Sequence, residues 1–364
     1  MKILQFITEL TPAGAERVVC ELAKNLKAKG HQILVLSLMP LPENESILEE
    51  LRGADIEVKS LNVSKHSPWR ILAFRRVVRE FKPDIVHSHL IHPNIIARLA
   101  GIASPVKFRL VNTVHIAERR PGKWWHFFLD KITFTLCDVQ TCVSEAVRDF
   151  HSAKTGRPPD KMPVIYNGLP KISEPNKSEI CELRREWGVE NCSKVIGSVG
   201  RLDWQKGYDI FLEHLPKISE IIPEGEKWGI VILGEGKFRG ELERVADRNR
   251  VGNITVKLPG FRKDAAKCIG AFDLFVMPSR YEGFGLTLIE AMMQGVPILA
   301  SDADSLPELM EFYDNGKCLK FDFSEMFSED LKKYLMKGKK INKLPFTSSA
   351  MTDEYFQIYT GITD

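Results

Sequence analysis

The chain has 364 residues, 44% apolar and 27% charged, with a formal net charge of +3. That length exceeds one ordinary core and suits two domains. The small net charge excludes a strong global field, so nucleic acid is not an expected partner.

The apolar pattern alternates short runs with helical stretches. KILQFI reads as a first strand, too short in apolar length for a signal peptide and followed by Glu9. AERVVCELAKNLKAKG has helical spacing and stops at Gly30, and QILVLSL is the next strand. WRILAFRRVVREFKP is an amphipathic helix ended before Pro83, and DIVHSH, FRLVNTVH and DVQTCVS follow as strands. Strands spaced by crossover helices imply parallel sheets covered on both faces. The polar stretch NGLPKISEPNKSEICELRREWGV carries two prolines, lacks strand character and reads as a link.

A second alternation follows. KVIGSVG, WGIVILG, ITVKLPG, LFVMPS and PILAS read as strands, with YDIFLEHLPKI and KFRGELERVADRN as helices between the first of them. The closing AMTDEYFQIYTG places Met351, Tyr355, Phe356 and Tyr359 on one side of a short helix, which is expected to pack back onto a domain. The expected division is 1–172 for a first Rossmann-like domain and 173–346 for a second, with 347–364 returning to the first. Ligands are expected outside the carboxyl ends of the strands in each half, and a cleft between two such halves is a common substrate site.

No apolar run approaches the ~20 residues of a membrane span. The seven cysteines are scattered and include no CxxC pair, which fits reduced thiols in a cytoplasmic protein.

Five stretches carry candidate chemistry. TPAGAERVV places Gly14 at a strand-to-helix turn, where unpaired amides favour an anion; it lacks the GxGxxG pattern of dinucleotide sites. GSVGRLDWQKGYD offers Arg201 and Lys206, a planar fork and a point charge suited to a diphosphate. PSRYEGFGLTLIEAMMQGVP places Glu282 ahead of a glycine turn and Glu290 inside the following helix. The first amides of that helix face a ligand that Gly283 and Gly285 allow to approach closely. TVH ends a strand at His115. HSHLIH sets His87, His89 and His92 in a metal-like pattern, but no acid or cysteine completes the set, and the short DAD at Asp302 to Asp304 is equally weak as a metal site. Each stretch also has a plain structural reading: a turn, a surface ion pair, two surface acids, or a buried histidine.

Together the motifs resemble family 4 glycosyltransferases of the GT-B fold. The signature is the E-x7-E of Glu282 and Glu290. GRLDWQKGYD, VILGEG, LPGF, TVH, CVSEAV and VIYNG match in order and spacing, nearly end to end. The resemblance implies an α/β GT-B architecture, two Rossmann-like domains facing across a cleft, the first for the acceptor and the second for the donor. It implies a retaining transfer from a nucleoside-diphosphate sugar, a UDP-sugar by family habit, with no metal or other cofactor. It places the donor sugar on Glu282 and near His115, the ribose on Glu290, and the diphosphate on Arg201 and Lys206. Gly14, Gly234, Gly260, Phe261, Gly283, Phe284, Gly285 and Leu286 would line the donor.

The sequence departs from the family in Ala13-Gly14 for Gly-Gly, in Pro170 for Asp, and in Asp304-Ser305 for Gly-Gly. The last adds a carboxylate near the site. Alternatives that share the ligands are an inactive sugar-nucleotide sensor or partner subunit, or a GT-B isomerase or phosphorylase. The expected acceptor is a lipid-linked or cell-surface polysaccharide precursor. Segment 119–134 mixes Arg119, Arg120 and Lys123 with Trp124, Trp125, Phe127 and Phe128. It is read either as buried core or as a peripheral contact at the inner membrane face.

Overall fold

The computed structural model describes residues 1–42, 46–102, 104–117, 119, 122–320 and 327–361. Arg120 and residues 362–364, part of the segments read above, lie outside the described residues. The chain divides into two compact units, Met1–Pro170 with Pro345–Asp364, and Lys171–Leu344.

The first unit is built on six parallel strands in the order β3-β2-β1-β4-β5-β6. These are β1 Lys2–Ile7, β2 Gln32–Ser37, β3 Glu57–Ser60, β4 Ile85–His89, β5 Arg109–Val114 and β6 Val139–Cys142. Helices α1 Gly14–Ala28, α2 Ser46–Gly53, α3 Ala73–Phe81, α4 Ile91–Ile102 and α5 Trp124–Thr133 lie in the crossovers, and α6 Glu145–Thr155 follows β6. Leu4, Phe6, Leu34, Leu36, Phe74, Val78, Val86 and Leu110 form one core layer, with the Phe6 and Phe74 rings 4.8 Å apart. Burial of such side chains contributes about 1.5–3 kcal/mol each.

The second unit repeats the plan with the order β12-β11-β10-β7-β8-β9. Its strands are β7 Lys194–Val199, β8 Trp228–Leu233, β9 Ile254–Gly260, β10 Leu274–Met277, β11 Ile298–Ser301 and β12 Gly316–Leu319. Its helices are α7 Lys177–Glu186, α8 Tyr208–Glu213, α9 Leu215–Glu220, α10 Arg239–Arg248, α11 Ala265–Cys268, α12 Leu286–Met293, α13 Leu306–Met310 and α14 Phe327–Leu335. The final helix, α15 Ser348–Thr360, belongs to the first unit and lies against α1.

Two features differ from the sequence reading. The polar link contains a helix, α7, because Asn176 and Glu179 form a capping box and Trp187 and Val189 bury just beyond its end. YDIFLEHLPKI breaks into α8 and α9 at His214, because Pro216 at the start of α9 has no amide to continue the ladder. The two parallel sheets are those of the GT-B fold.

Candidate active site

In the second unit β7 lies between β10 and β8, so the connections that follow β7 and β10 leave the sheet in opposite directions. This is the switch point at which open parallel sheets form a crevice. Lys206 closes the short turn Trp204–Lys206 after β7, and Gly207 ends that turn at φ 66°. Glu282 stands in the loop after β10.

The Lys206 Nζ lies 2.6 Å from Glu282 Oε1, with both side chains largely buried. Ser279 Oγ donates to the same oxygen at 2.8 Å. The Glu282 amide donates to Asp304 Oδ2 at 3.0 Å. A buried carboxylate needs such compensation, and the cation and hydroxyl supply it. The loops are clamped to each other: Gln205 Nε2 donates to the Tyr281 carbonyl at 3.0 Å, and the Arg280 amide donates to the Gln205 carbonyl at 2.7 Å. Arg280 forks onto both oxygens of Asp209 at 2.8 and 2.6 Å and lies 4.5 Å from the Trp204 ring centroid.

Arg201 does not join the Lys206–Glu282 pair. Its exposed guanidinium pairs with Asp203 and reaches Gln205 at 3.5 Å. Gly283 and Phe284 are buried and lead to Gly285, the cap of α12, at φ 72°. A Cβ at Gly285 would fall 2.8 Å from Leu306, so glycine is needed both for conformation and for space. Leu286 opens the helix, whose first amides have no partner within it. Glu290 sits on the second turn, half-buried.

Asp304 takes a left-handed backbone at φ 45°, a conformation glycine adopts readily. Its carboxylate holds the Glu282 backbone, a role the sequence reading did not give it. Gly234, at φ 147°, ends β8; a Cβ there would lie 2.0 Å from the Gly200 carbonyl oxygen. Its amide donates to the Gly260 carbonyl at 2.8 Å, which holds the ends of β8 and β9 side by side, and Phe261 beyond them is exposed.

In the first unit Gly14 is the exposed first residue of α1, after Ala13, whose side chain makes no cap. His115 follows β5, half-buried, with Nε2 2.9 Å from Nδ1 of His89. Burial lowers the His115 pKa to about 3. The histidines of HSHLIH do not converge as ligands. Both ring nitrogens of His87 are engaged, by Tyr359 and Thr113, while the His92 ring lies against Trp125 and His126. Among the described residues the metal-like grouping is Cys20, Glu21 and Glu50, and Arg17 and Lys24 already neutralise its two carboxylates. All seven cysteines are unpaired.

Sequence reasoning gave no role to Ser279, to the Arg280–Asp209 clamp or to Gln5. Gln5, whose side-chain amide meets Tyr359 and His89, stands inside the apolar run KILQFI. The others depend on contacts 71 residues apart, or on which oxygen of Glu282 a nearby hydroxyl meets.

Two family models match the chain. Residues 12–170 fit "Glycosyltransferase Family 4" and residues 179–345 fit "Glycosyl transferases group 1". The chain belongs to the family 4 glycosyltransferases and is a glycosyltransferase. It is 28% identical to an uncharacterized glycosyltransferase of Methanocaldococcus jannaschii, over 87% of this chain and 84% of that one. It is 24% identical to the O-antigen biosynthesis glycosyltransferase WclY of Escherichia coli, over 100% and 99%. An Escherichia coli enzyme named UDP-Gal:alpha-D-GlcNAc-diphosphoundecaprenol alpha-1,3-galactosyltransferase is 27% identical over 80% and 76%. Among solved structures, Anabaena HepE in complex with UDP superimposes with a TM-score of 0.75 at 21% identity, covering 99% of this chain and 95% of that one.

Proposed function

We propose that the chain transfers a sugar, with retention, from a UDP-sugar to a lipid-linked or cell-surface polysaccharide precursor. The observation that carries this reading is the Lys206–Glu282 pair beside the amino end of α12, at the carboxyl edge of β7 and β10. Lys206 and the first α12 amides supply positive potential where a departing diphosphate gains charge. Arg201, exposed and paired within its own loop, can turn its fork onto the same group. These cations take the place of a divalent metal.

Glu282, oriented through Lys206, Ser279 and Asp304, accepts hydroxyls of the donor sugar. Glu290 takes the ribose. Gly234, Gly260 and Phe261 lie toward the base, and Gly283 to Leu286 bracket the phosphates. In the first unit, Gly14 offers backbone to substrate and His115 meets a sugar hydroxyl. The glycosyl–phosphate bond breaks, the acceptor oxygen attacks from the side of the leaving group, and its proton passes to the departing diphosphate.

The first unit is assigned the acceptor. The relatives in O-antigen synthesis and in transfer to a diphosphoundecaprenol-linked sugar support that class of acceptor, and the UDP held by HepE supports the base. Peripheral membrane contact through α5 belongs to the same reading.

The test is transfer from a panel of UDP-sugars to a polyprenyl-diphosphate sugar, with a chelator present. The native chain turns over. Lys206→Ala and Glu282→Gln each lose about 100-fold in kcat, the usual loss for a preorganised transition-state contact, with unchanged circular dichroism. Near-native turnover in both folded variants would overturn the site. Donor binding without transfer would point to a sensor.

A further inference from the structure

Seven buried residues of the first unit, Gln5, His87, His89, Thr113, Thr141, Tyr355 and Tyr359, join in a hydrogen-bonded chain that ends on His115, and its direction is assigned from the Thr141 end. Thr141 Oγ1 donates to the Asn112 carbonyl at 3.3 Å, and a carbonyl can only accept. With the Thr141 proton on that carbonyl, the 2.8 Å contact between Thr141 and Thr113 is assigned the Thr113 proton. Thr113 Oγ1, its proton spent, accepts from His87 Nε2 at 2.7 Å and from the Tyr355 hydroxyl at 3.1 Å.

With its proton on Nε2, neutral His87 has a bare Nδ1, which takes the Tyr359 hydroxyl proton at 2.7 Å. Tyr359 in turn accepts from Gln5 Nε2 at 3.3 Å. This fixes the Gln5 amide with Oε1 toward His89 Nε2, at 2.8 Å, so that nitrogen carries a proton. His89 Nδ1 is therefore bare and accepts the Nε2 proton of His115 at 2.9 Å. Burial keeps all three imidazoles neutral. The remaining nitrogen of His115, Nδ1, holds a lone pair and no proton.

We propose that the carboxy-terminal helix α15 sets which nitrogen of His115 carries its proton, through Tyr359 and Gln5, so that His115 meets substrate as a hydrogen-bond acceptor. Gln5, His87, His89, Thr113, Tyr355 and Tyr359 are all buried, so no bulk water offers them alternative partners. Without the Tyr359 hydroxyl the Gln5 amide loses the contact that orients it. A turned amide would present its NH2 to His89, reverse both imidazole tautomers, and make His115 Nδ1 a donor. Tyr359 and Gln5 are thus positioning residues, and they deepen the reading in which His115 accepts a sugar hydroxyl.

The test separates the two ideas. Imidazole 1H–15N correlation spectra of the ligand-free protein report which nitrogen of His115 is protonated, with no substrate involved. The native chain is expected to show His115 protonated at Nε2 alone. Tyr359→Phe and Gln5→Leu are expected to show mixed or reversed protonation. Tyr355→Phe removes an equal hydroxyl from the same helix but leaves the chain of donors intact, and is expected to match the native spectrum. In the transfer assay Tyr359→Phe lowers kcat about fivefold, the equivalent of a hydrogen bond worth about 1 kcal/mol, with donor KM unchanged.

Native His115 resonances in both Tyr359→Phe and Gln5→Leu would overturn the proposal. So would an equal change in Tyr355→Phe, which would mark a general packing effect. A changed tautomer with unchanged transfer supports the relay and counts against the substrate role of His115 instead.

Discussion

Arg98 and Asp130 show at the residue scale what burial demands of charge. Both are almost fully buried and lie 2.7 Å apart, and Arg98 also donates to Asn112 Oδ1 at 2.6 Å. His151 Nε2 lies 2.8 Å from the second Asp130 oxygen. Burial alone would raise the Asp130 pKa, but the His151 hydrogen bond and the Arg98 charge outweigh it and hold the carboxyl well below its usual range. A depressed carboxylate contributes stability above its unfolded pKa of about 3.9, and that contribution drains as pH falls toward the folded value. Asp130→Asn keeps the shape and strands the Arg98 charge. It is expected to destabilise the first unit by about 3 kcal/mol in urea unfolding at pH 7. The exposed pair Arg76–Glu80 has the opposite prospect, and Glu80→Gln is expected to give no resolvable change. If the two variants unfold alike, burial is not what gives the Asp130 pair its weight.

At the scale of elements, α15 covers the network that β1, β4 and β5 present. Met351, Tyr355 and Tyr359 are buried, and Phe356 stacks on His31 at 5.2 Å. The amphipathic side of this helix was legible in the sequence, because its apolar residues keep helical spacing. The histidines beneath it were not. In HSH the register i, i+2 places His87 and His89 on one face but says nothing of whether a metal, water or another side chain meets them. Their tyrosine and glutamine partners come from the two ends of the chain. The polar edge strands EVKS and GKCL were equally silent, since an edge strand lacks the apolar run that marks a central one.

Lys206 and Glu282 were legible singly, by motif; their contact across 76 residues, and the Ser279 and Asp304 support, are tertiary. A pH response follows from the covered histidines. The folded pKa values of His87, His89 and His115 lie below the unfolded value of about 6.5. Below pH 6.5 the unfolded chain therefore binds protons that the folded chain refuses. Stability then falls as pH drops, by at most about 1.4 kcal/mol per unit for each histidine. Urea midpoints at pH 7.5 and 5.5 measure it; equal midpoints would mean that these rings reach protons in the folded state.

For the whole molecule the question is what meets the apolar surface of α5. Trp124, Phe128 and Ile132 repeat at i, i+4 and i+8 and are 72%, 53% and 56% exposed, and Leu136 continues the row just past the helix. The reading of these aromatics as core fails for Trp124 and Phe128, because the inward side of α5 is taken by His126, Asp130 and Thr133. Leu99 and Ile102 are exposed on α4, which packs beside α5. Among the described residues no helix is long and apolar enough to cross a membrane. The membrane contact proposed above would set this exposed row, flanked by Lys123 and Lys131, on an anionic bilayer, with rings in the acyl boundary and amines at headgroups. A lipid-linked acceptor would be presented at that surface. The native chain is expected to sediment with phosphatidylglycerol vesicles at low salt, less with phosphatidylcholine, and to be weakened near 1 M salt, where charges are screened within about 3 Å. Trp124→Ser combined with Phe128→Ser removes two insertions of about 2 kcal/mol each. It is expected to abolish sedimentation while a water-soluble acceptor is still glycosylated at the native rate. Equal sedimentation of native and double-variant chains would rule out α5 as the contact.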